Sequence, residues 1–344
     1  MCAFALVIVA VGATPAGLSW RMRLGLTERE AGLEEVTAMK VGLYTISFAG
    51  VWYDGPALPL PDIFRRAKDM GYDGVEIGAR RPHASPMDLD AKARERMRAQ
   101  ASEVGVEIPA VASYNNFASP ILEQRENELL MVKEQIKLAR DLGAPILRLF
   151  AAWRGITLRN GHGSYEMTRR YWETGYPDVL SSERWGWVKD CLKEVADFAG
   201  EMGVTLALQN HEPVIRSHHD MLSFIREVNS PALKACLDCP LLSSQEDDYV
   251  AAAVKATGSL QVHSHFGGEF EEEGREAVQR PIQHTTRLIN YPVFAKALKA
   301  IGYQGYLCYE FCHPCIGASH ELLGLDEVVR QVGLAARYMR KLVG

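Results

Sequence analysis

From Met39 to its end the chain alternates eight short apolar runs with eight amphipathic helical runs. That alternation constrains the fold more than any other feature. The first strand is predicted at 41–47, and its helix at 60–70 carries Ile63, Ala67 and Met70 on one face. The turn Gly71-Tyr72-Asp73-Gly74 leads into a second strand at 75–79, followed by a helix at 88–104. The third strand is 107–113. Its helix, 121–142, has an apolar stripe of Leu129, Val132, Ile136 and Ala139, with Gly143 as its stop. The fourth strand, 146–153, is separated from a helix at 182–202 by a polar insertion at 154–180. The remaining strands are 205–211, 233–239, 260–266 and 306–310, with helices at 218–229, 249–257, 293–301 and 326–342 and an acidic loop at 269–291.

Strict strand–helix alternation predicts a parallel sheet, and eight units is the number that closes a single (β/α)8 TIM barrel. An open doubly wound sheet would want a Gly-rich phosphate loop after the first strand, and Ser47-Phe48-Ala49-Gly50-Val51-Trp52-Tyr53 is not one. The 344 residues, 47% hydrophobic and 24% charged, suit one barrel domain over 39–344. Residues 1–38 read as a non-native or disordered extension. The stretch 33–39, Leu-Glu-Glu-Val-Thr-Ala-Met, back-translates to a purine-rich ribosome-binding sequence ahead of an AUG, which puts the expected start at Met39. The apolar run 4–11 is too short to span a bilayer and no basic segment precedes it, so no membrane association is expected. A net charge of −5 without a basic run speaks against nucleic acid as a partner. Seven cysteines, an odd number in a large chain, fit a reducing cytoplasm rather than a disulfide scaffold.

Barrel enzymes carry their chemistry at the C-terminal ends of the strands. The fifth strand ends Gln209-Asn210-His211-Glu212, the sixth holds Asp238, the seventh His263 and His265, and the eighth Glu310, with His313 beyond. Each alone reads as ordinary rim polarity; four consecutive strand ends at matched depth read as a divalent-metal site. A carboxylate within an apolar strand is costly to bury unless it is paired or metal-bound. Oxygen ligands with one imidazole suit Mn²⁺, Mg²⁺, Co²⁺ or Zn²⁺. His263 and His265 point the same way, and the later one is the better ligand. Cys236-x-x-Cys239 and Cys312-x-x-Cys315 offer a rival structural zinc site, but a spacing of three within a strand places the side chains on opposite faces. Further rim candidates are His83, Asn115, Trp52, Tyr53 and Trp153, whose rings suit a sugar or aromatic ligand.

These residues resemble the sugar phosphate isomerase/epimerase superfamily of xylose isomerase-like barrels. The resemblance rests on Gly71-Tyr-Asp-Gly-Val-Glu-Ile77, Leu206-Ala-Leu-Gln-Asn-His211, Leu237-Asp238, Val262-His-Ser-His265, Gly302-Tyr-Gln-Gly305 and Tyr309-Glu310. It implies a metal held by Gln209, Asp238, His265 and Glu310, with Mn²⁺ the first choice. Gln209 departs from the pattern, because the family has Glu there and uses it with the eighth-strand Glu as two opposed bases. An amide takes no proton at neutral pH, so the departure points to chemistry with one base.

The stretches Arg81-Pro-His-Ala-Ser-Pro86, Tyr114-Asn-Asn-Phe117 and Phe150-Ala-Ala-Trp153 look like the branch that contains α subunits of C-deglycosylation enzymes. That resemblance implies a lyase that releases the aglycone of a 3-keto C-glycoside by β-elimination. His211 or His83 is then the expected base, with Glu310 as a further catalytic group. Asn115, Trp153, His263 and His313 are the expected substrate contacts. Its partners would be a sugar or glycoside substrate and either a small β subunit or a second copy of the chain. The alternative is a metal-dependent keto-sugar isomerase or epimerase. An endonuclease IV-like phosphodiesterase would need a basic groove that the charge balance does not favour, and a non-catalytic binding barrel would not need Asp238, His265 and Glu310.

Overall fold

The computed structural model describes residues 38–159, 161–281 and 287–344. The non-native extension expected over residues 1–38 lies, apart from Ala38, outside the described residues. Among the described residues, twelve strands and nine α-helices follow in order. They are β1 (Lys40–Tyr44), α1 (Leu60–Asp69), β2 (Gly74–Gly78), α2 (Ala91–Val104), β3 (Ala110–Ala112), α3 (Leu122–Leu142), β4 (Ile146–Leu149), β5 (Thr157–Arg159), β6 (His162–Ser164), α4 (Glu166–Thr174), α5 (Ser181–Met202), β7 (Thr205–Gln209), α6 (His218–Val228), β8 (Leu233–Cys236), α7 (Asp247–Thr257), β9 (Gln261–Phe266), β10 (Glu269–Glu273), β11 (Glu276–Arg280), α8 (Tyr291–Ala300), β12 (Tyr306–Tyr309) and α9 (Leu325–Val343).

Eight of the strands close a parallel barrel in the order β1-β12-β9-β8-β7-β4-β3-β2. Their sequences are rich in Val, Ile, Leu and Ala and buried almost throughout, as strands covered on both faces must be. The helices pack their apolar stripes outside. α3 buries Val132, Ile136, Leu138 and Ala139 and ends at Gly143, whose φ of 75° is the left-handed conformation that a side chain disfavours. β1 closes on β12 with Lys40 opposite Tyr306 and Gly42 opposite Cys308. α9 fastens the start of the barrel from below: Arg340 pairs with Asp73 at 2.8 Å, and Tyr72 Oη donates to Val332 O at 2.8 Å.

The predicted strands run past the observed ones at the mouth. The fourth ends at Leu149, the fifth at Gln209 and the sixth at Cys236, because the backbone beyond turns away to carry rim residues. The two segments expected to be irregular carry structure of their own. The polar insertion contains the antiparallel hairpin β5–β6 and helix α4, and the acidic loop contains the antiparallel hairpin β10–β11. No helix among the described residues is long and apolar enough to cross a membrane.

Candidate active site

The register of the barrel strands brings the expected ligands together. Gln209 lies opposite Cys236, Cys236 opposite His263, and His265 opposite Cys308. Asp238 Oδ2 is 3.0 Å from His265 Nδ1. The Gln209 amide nitrogen contacts the same Asp238 oxygen and sits 3.3 Å from His265 Nδ1. Asp238 is held in place: its Oδ1 accepts from His265 N at 2.7 Å, and its own N–H donates to Asn210 Oδ1 at 2.8 Å. Glu310 directly follows β12, its N–H donating to Phe266 O at 2.9 Å, and its carboxyl is within electrostatic reach of His265 and Asp238. Cys236 Sγ adds a neighbour 3.4 Å from Asp238 Oδ1. Burial pushes this thiol well up, so it stays protonated.

Beneath the ligands lies a charged layer. Glu76, in the middle of β2 and fully buried, receives Nε2 of His263 at 2.9 Å and Nε2 of His265 at 2.7 Å on one oxygen. Arg148, in β4, pairs with its other oxygen at 3.5 Å. Arg148 also donates to Ser113 O and lies 4.5 Å from the centre of the Phe150 ring. Burial pushes the Glu76 carboxyl up, but His265 and His263 outweigh it and hold the group well below the usual carboxylate range. Asp238 is likewise held low against the push of burial, chiefly by His265. Glu310 goes the other way: burial raises it and His265 only partly offsets the rise, so it is a stronger base than an ordinary carboxylate.

The residues fit a divalent cation. His265 Nδ1, an Asp238 oxygen and the Gln209 side chain converge, and Gln209 Oε1 is buried with no partner. An amide oxygen left orphaned at a buried carboxylate–imidazole pair is satisfied if the amide turns that oxygen onto a cation. Cys236, Asp238 and His265 offer ligand atoms within 4.8 Å of one another.

Above this cluster opens a cavity of about 420 Å³, within the range of small-molecule sites. Gln209, Glu310 and Tyr44 line its floor; Trp52, Tyr114, Phe150, Trp153 and Tyr165 line its walls. The rings form two stacked pairs, Phe150 with Trp153 at 5.0 Å and Trp52 with Tyr165 at 5.2 Å. Tyr165 precedes α4, and Tyr165 Oη donates to Cys312 O at 2.8 Å, so the insertion forms one wall of the cavity.

Of the other expected residues, His211, Trp153 and His313 line the cavity. His211 Nδ1 meets Glu212 O at 2.5 Å; as the donor there, it leaves Nε2 as an acceptor. Burial pushes His211, which packs edge-on against Phe150 and Trp153, down to about 4, so it is neutral. Three residues stand elsewhere. His263 is fully buried beneath the ligands on Glu76, where it supports the cluster instead of meeting a substrate. Asn115 spends its amide on the backbone of Phe150, donating to the carbonyl at 2.7 Å and accepting from the N–H at 3.1 Å, which fixes the start of the aromatic wall. His83 lies outside the cavity lining, in contact with the backbone of Phe48 and Leu58. The six described cysteines are free. Cys236 and Cys239 do not close a zinc site together, because Cys239 Sγ turns to Gln245.

Reading only the rims misses Glu76, Arg148, Arg80 and Tyr165. The first two had a signal, since each is a charge inside a buried apolar strand and so needs a partner.

A family model described as "Xylose isomerase-like TIM barrel" matches residues 64–341. The chain belongs to this family. Among its relatives is a fructoselysine 3-epimerase of Shigella flexneri, 28% identical over 209 residues, which are 58% of this chain and 66% of that protein. The chain therefore spans a little under two thirds of the length of that relative. A 3-dehydro-D-guloside 4-epimerase of Escherichia coli strain K12 is 23% identical over 255 residues, 72% of this chain and 85% of that protein. Among solved structures, the D-psicose 3-epimerase of Clostridium cellulolyticum H10, with D-tagatose, superposes with a TM-score of 0.65 over 89% of this chain and 99% of the other. At 17% identity, that likeness is one of fold.

Proposed function

We propose that this family member is a divalent-metal-dependent epimerase of keto sugars, moving a proton at the carbon next to the ketone. The observation that carries the reading is the pairing of Glu310 and His211 on one cavity above the Gln209–Asp238–His265 cluster. β12 and β7 are separated around the barrel by β9 and β8. The two groups therefore reach the cavity from different sides, as removal of a proton from one face and return to the other requires. Glu310, raised by burial, is the stronger base. His211, neutral and with Nε2 free to accept, is the second proton-transfer group and stands in for the carboxylate that Gln209 lacks. Gln209, Asp238, His265 and Glu310 would hold the cation, with Mn²⁺ our first assignment and Mg²⁺, Co²⁺ or Zn²⁺ the alternatives. When bound, the ion supplies Lewis acidity toward the ketone oxygen. The rings of Trp153, Phe150 and Tyr114 exclude water around the reacting carbons. The relatives support this reading, since their names are those of epimerases and one acts on a 3-dehydro sugar glycoside.

A second reading keeps the first half of the reaction. The amide at Gln209 leaves the site one carboxylate short, which favours a proton removed and not returned. If the sugar carried a leaving group one carbon further on, the enolate would expel it, as in a lyase of 3-keto glycosides.

One experiment separates the two. Protein loaded with Mn²⁺ is incubated in D₂O with a 3-keto glucoside and followed by NMR. Deuterium appearing beside the ketone with inversion there supports the epimerase, and release of free aglycone supports the lyase. Neither deuterium nor aglycone would overturn both.

A further inference from the structure

The cavity wall carries more positive charge than its own residues neutralise. Arg80, Arg148, Arg154 and Arg169 line it, against one lining carboxylate, Glu310. Arg148 is matched by Glu76, and Arg154 by Glu212 at 2.7 Å. Arg80 and Arg169 have no carboxylate partner among the described residues.

Their placement is related. His265 and Tyr44 have ring centres 5.7 Å apart; Tyr44 Oη meets Tyr114 Oη at 2.5 Å; the Arg80 guanidinium lies over the Tyr114 ring, 4.1 Å from its centre. Two aromatic rings thus separate Arg80 from the metal-ligand cluster. Arg80 is also within electrostatic reach of Tyr165. Arg169 lies one helical turn beyond Tyr165 in α4, its N–H donating to Tyr165 O at 3.0 Å. Both arginines line the same cavity, and neither has a carboxylate partner among the described residues.

We infer that the substrate is anionic: a keto sugar with a carboxylate or phosphate on the part that lies toward Arg80 and Arg169. This rests on the reading of the cavity as a keto-sugar site. Arg80 is half-buried against the Tyr114 ring without a counter-ion, so a ligand that brings the negative charge offsets the cost of its desolvation; Arg169, exposed on α4, adds attraction from the cavity lining. Guanidinium groups meet both carboxylate and phosphate through paired N–H donors, so the geometry favours the two anions alike.

Binding, not turnover, tests this. The full chain, with its metal content measured in the same sample, is titrated calorimetrically with D-glucose, D-glucuronate and D-glucose 6-phosphate at low and at physiological ionic strength. The anionic sugars should bind about tenfold more tightly than glucose at low salt, with the advantage shrinking as salt screens it. The anion with the larger gain identifies the group. Arg80→Gln and Arg169→Gln should each erode the advantage and together remove it, while Arg80→Lys keeps most of it; metal content should not change. If Arg80→Gln misfolds by circular dichroism, Arg169→Gln on its exposed helix decides alone. Equal affinities, no binding by either anionic sugar, or an advantage that survives the double substitution would overturn the inference. Because no catalysis is read, a failed deuterium exchange leaves this result standing, and the reverse also holds.

Discussion

Nε2 of His265 lies 2.7 Å from Oε2 of Glu76, and this one contact decides which nitrogen of the imidazole is left for the metal proposed above. A carboxylate only accepts, so Nε2 carries a hydrogen; Nδ1 faces a second carboxylate, Asp238 Oδ2 at 3.0 Å. Against the push of burial, the two together hold the ring well above the usual histidine range, so a cation bound at Nδ1 would take the place of the proton there. Glu76 is held well below the ordinary carboxylate range by the two histidines, against the push of burial, and so stays an acceptor. The orientation of the ligand therefore originates on β2, across the barrel from the other ligands.

Replacing Glu76 with Gln removes the obligatory acceptor and lets an amide N–H meet Nε2 instead. The ring then keeps its one hydrogen on Nδ1, toward Asp238, where it blocks the ligand position. Metal affinity should fall about 10- to 100-fold, the usual cost of losing such an outer partner. Metal per chain after equilibrium dialysis checks this, and the ¹⁵N shifts of the His265 ring report the tautomer. Arg148 loses its counter-ion in the same variant, so the Tm should also drop. Unchanged metal affinity would show that Glu76 does not set the ligand.

The substitution Gln209→Glu adds a negative charge beside Asp238 and His265. A bound cation is attracted by that charge at short range, and affinity should rise by roughly tenfold or more. Gln209→Leu, which offers no oxygen, should lower it. Calorimetric titration with Mn²⁺ of the wild-type protein and both variants measures the difference. If all three bind equally, Gln209 is not a ligand.

The barrel was legible because each strand–helix unit switches between two hydrophobic periods, and eight such switches leave little choice of topology. The extent of each strand was less legible. Residues such as Phe150 and Trp153 continue the apolar run of β4 yet belong to a wall above the barrel. The hairpin β10–β11 was hidden by its charges, since Glu271, Glu272 and Glu273 face solvent and no alternation marks them as a strand. In the site, Asp238, His265 and Glu310 announced themselves as polar groups at consecutive strand ends. Asn115 announced itself in the same way but serves the backbone of Phe150, and only the distances separate those roles. Glu76 and Arg148 lie deeper in their strands, and a search confined to rims passes over them.

His211→Ala tests the second proton-transfer group apart from the metal. The side chain meets the Phe150 and Trp153 rings edge-on, and its hydrogen bond goes to the Glu212 carbonyl and not to a proposed ligand. Metal content should be unchanged, and deuterium exchange into the keto sugar should slow by about 10²- to 10⁴-fold, the usual contribution of a positioned acid or base. An unchanged rate would assign proton transfer to Glu310 alone and favour the single-base reading.

Glu128, on α3, makes a prediction about stability instead. It lies in a groove with Arg80, Arg81, Tyr114 and Asn115, and burial pushes its carboxyl up to about 7, partly offset by a hydrogen bond from the backbone of Asn116. A carboxyl whose pKa is higher in the folded than in the unfolded chain binds its proton more tightly when folded. Stability is therefore greatest below the unfolded value of 4.5, falls as pH rises to about 7, and stays reduced above it. Glu128→Gln is neutral at every pH and removes this loss. It should stabilise the protein by on the order of 2 kcal/mol near pH 8 and by almost nothing near pH 4. Thermal melts of the variant and the parent across that range read the difference directly, and a gain of equal size at both ends would show that burial of the charge is not its cause.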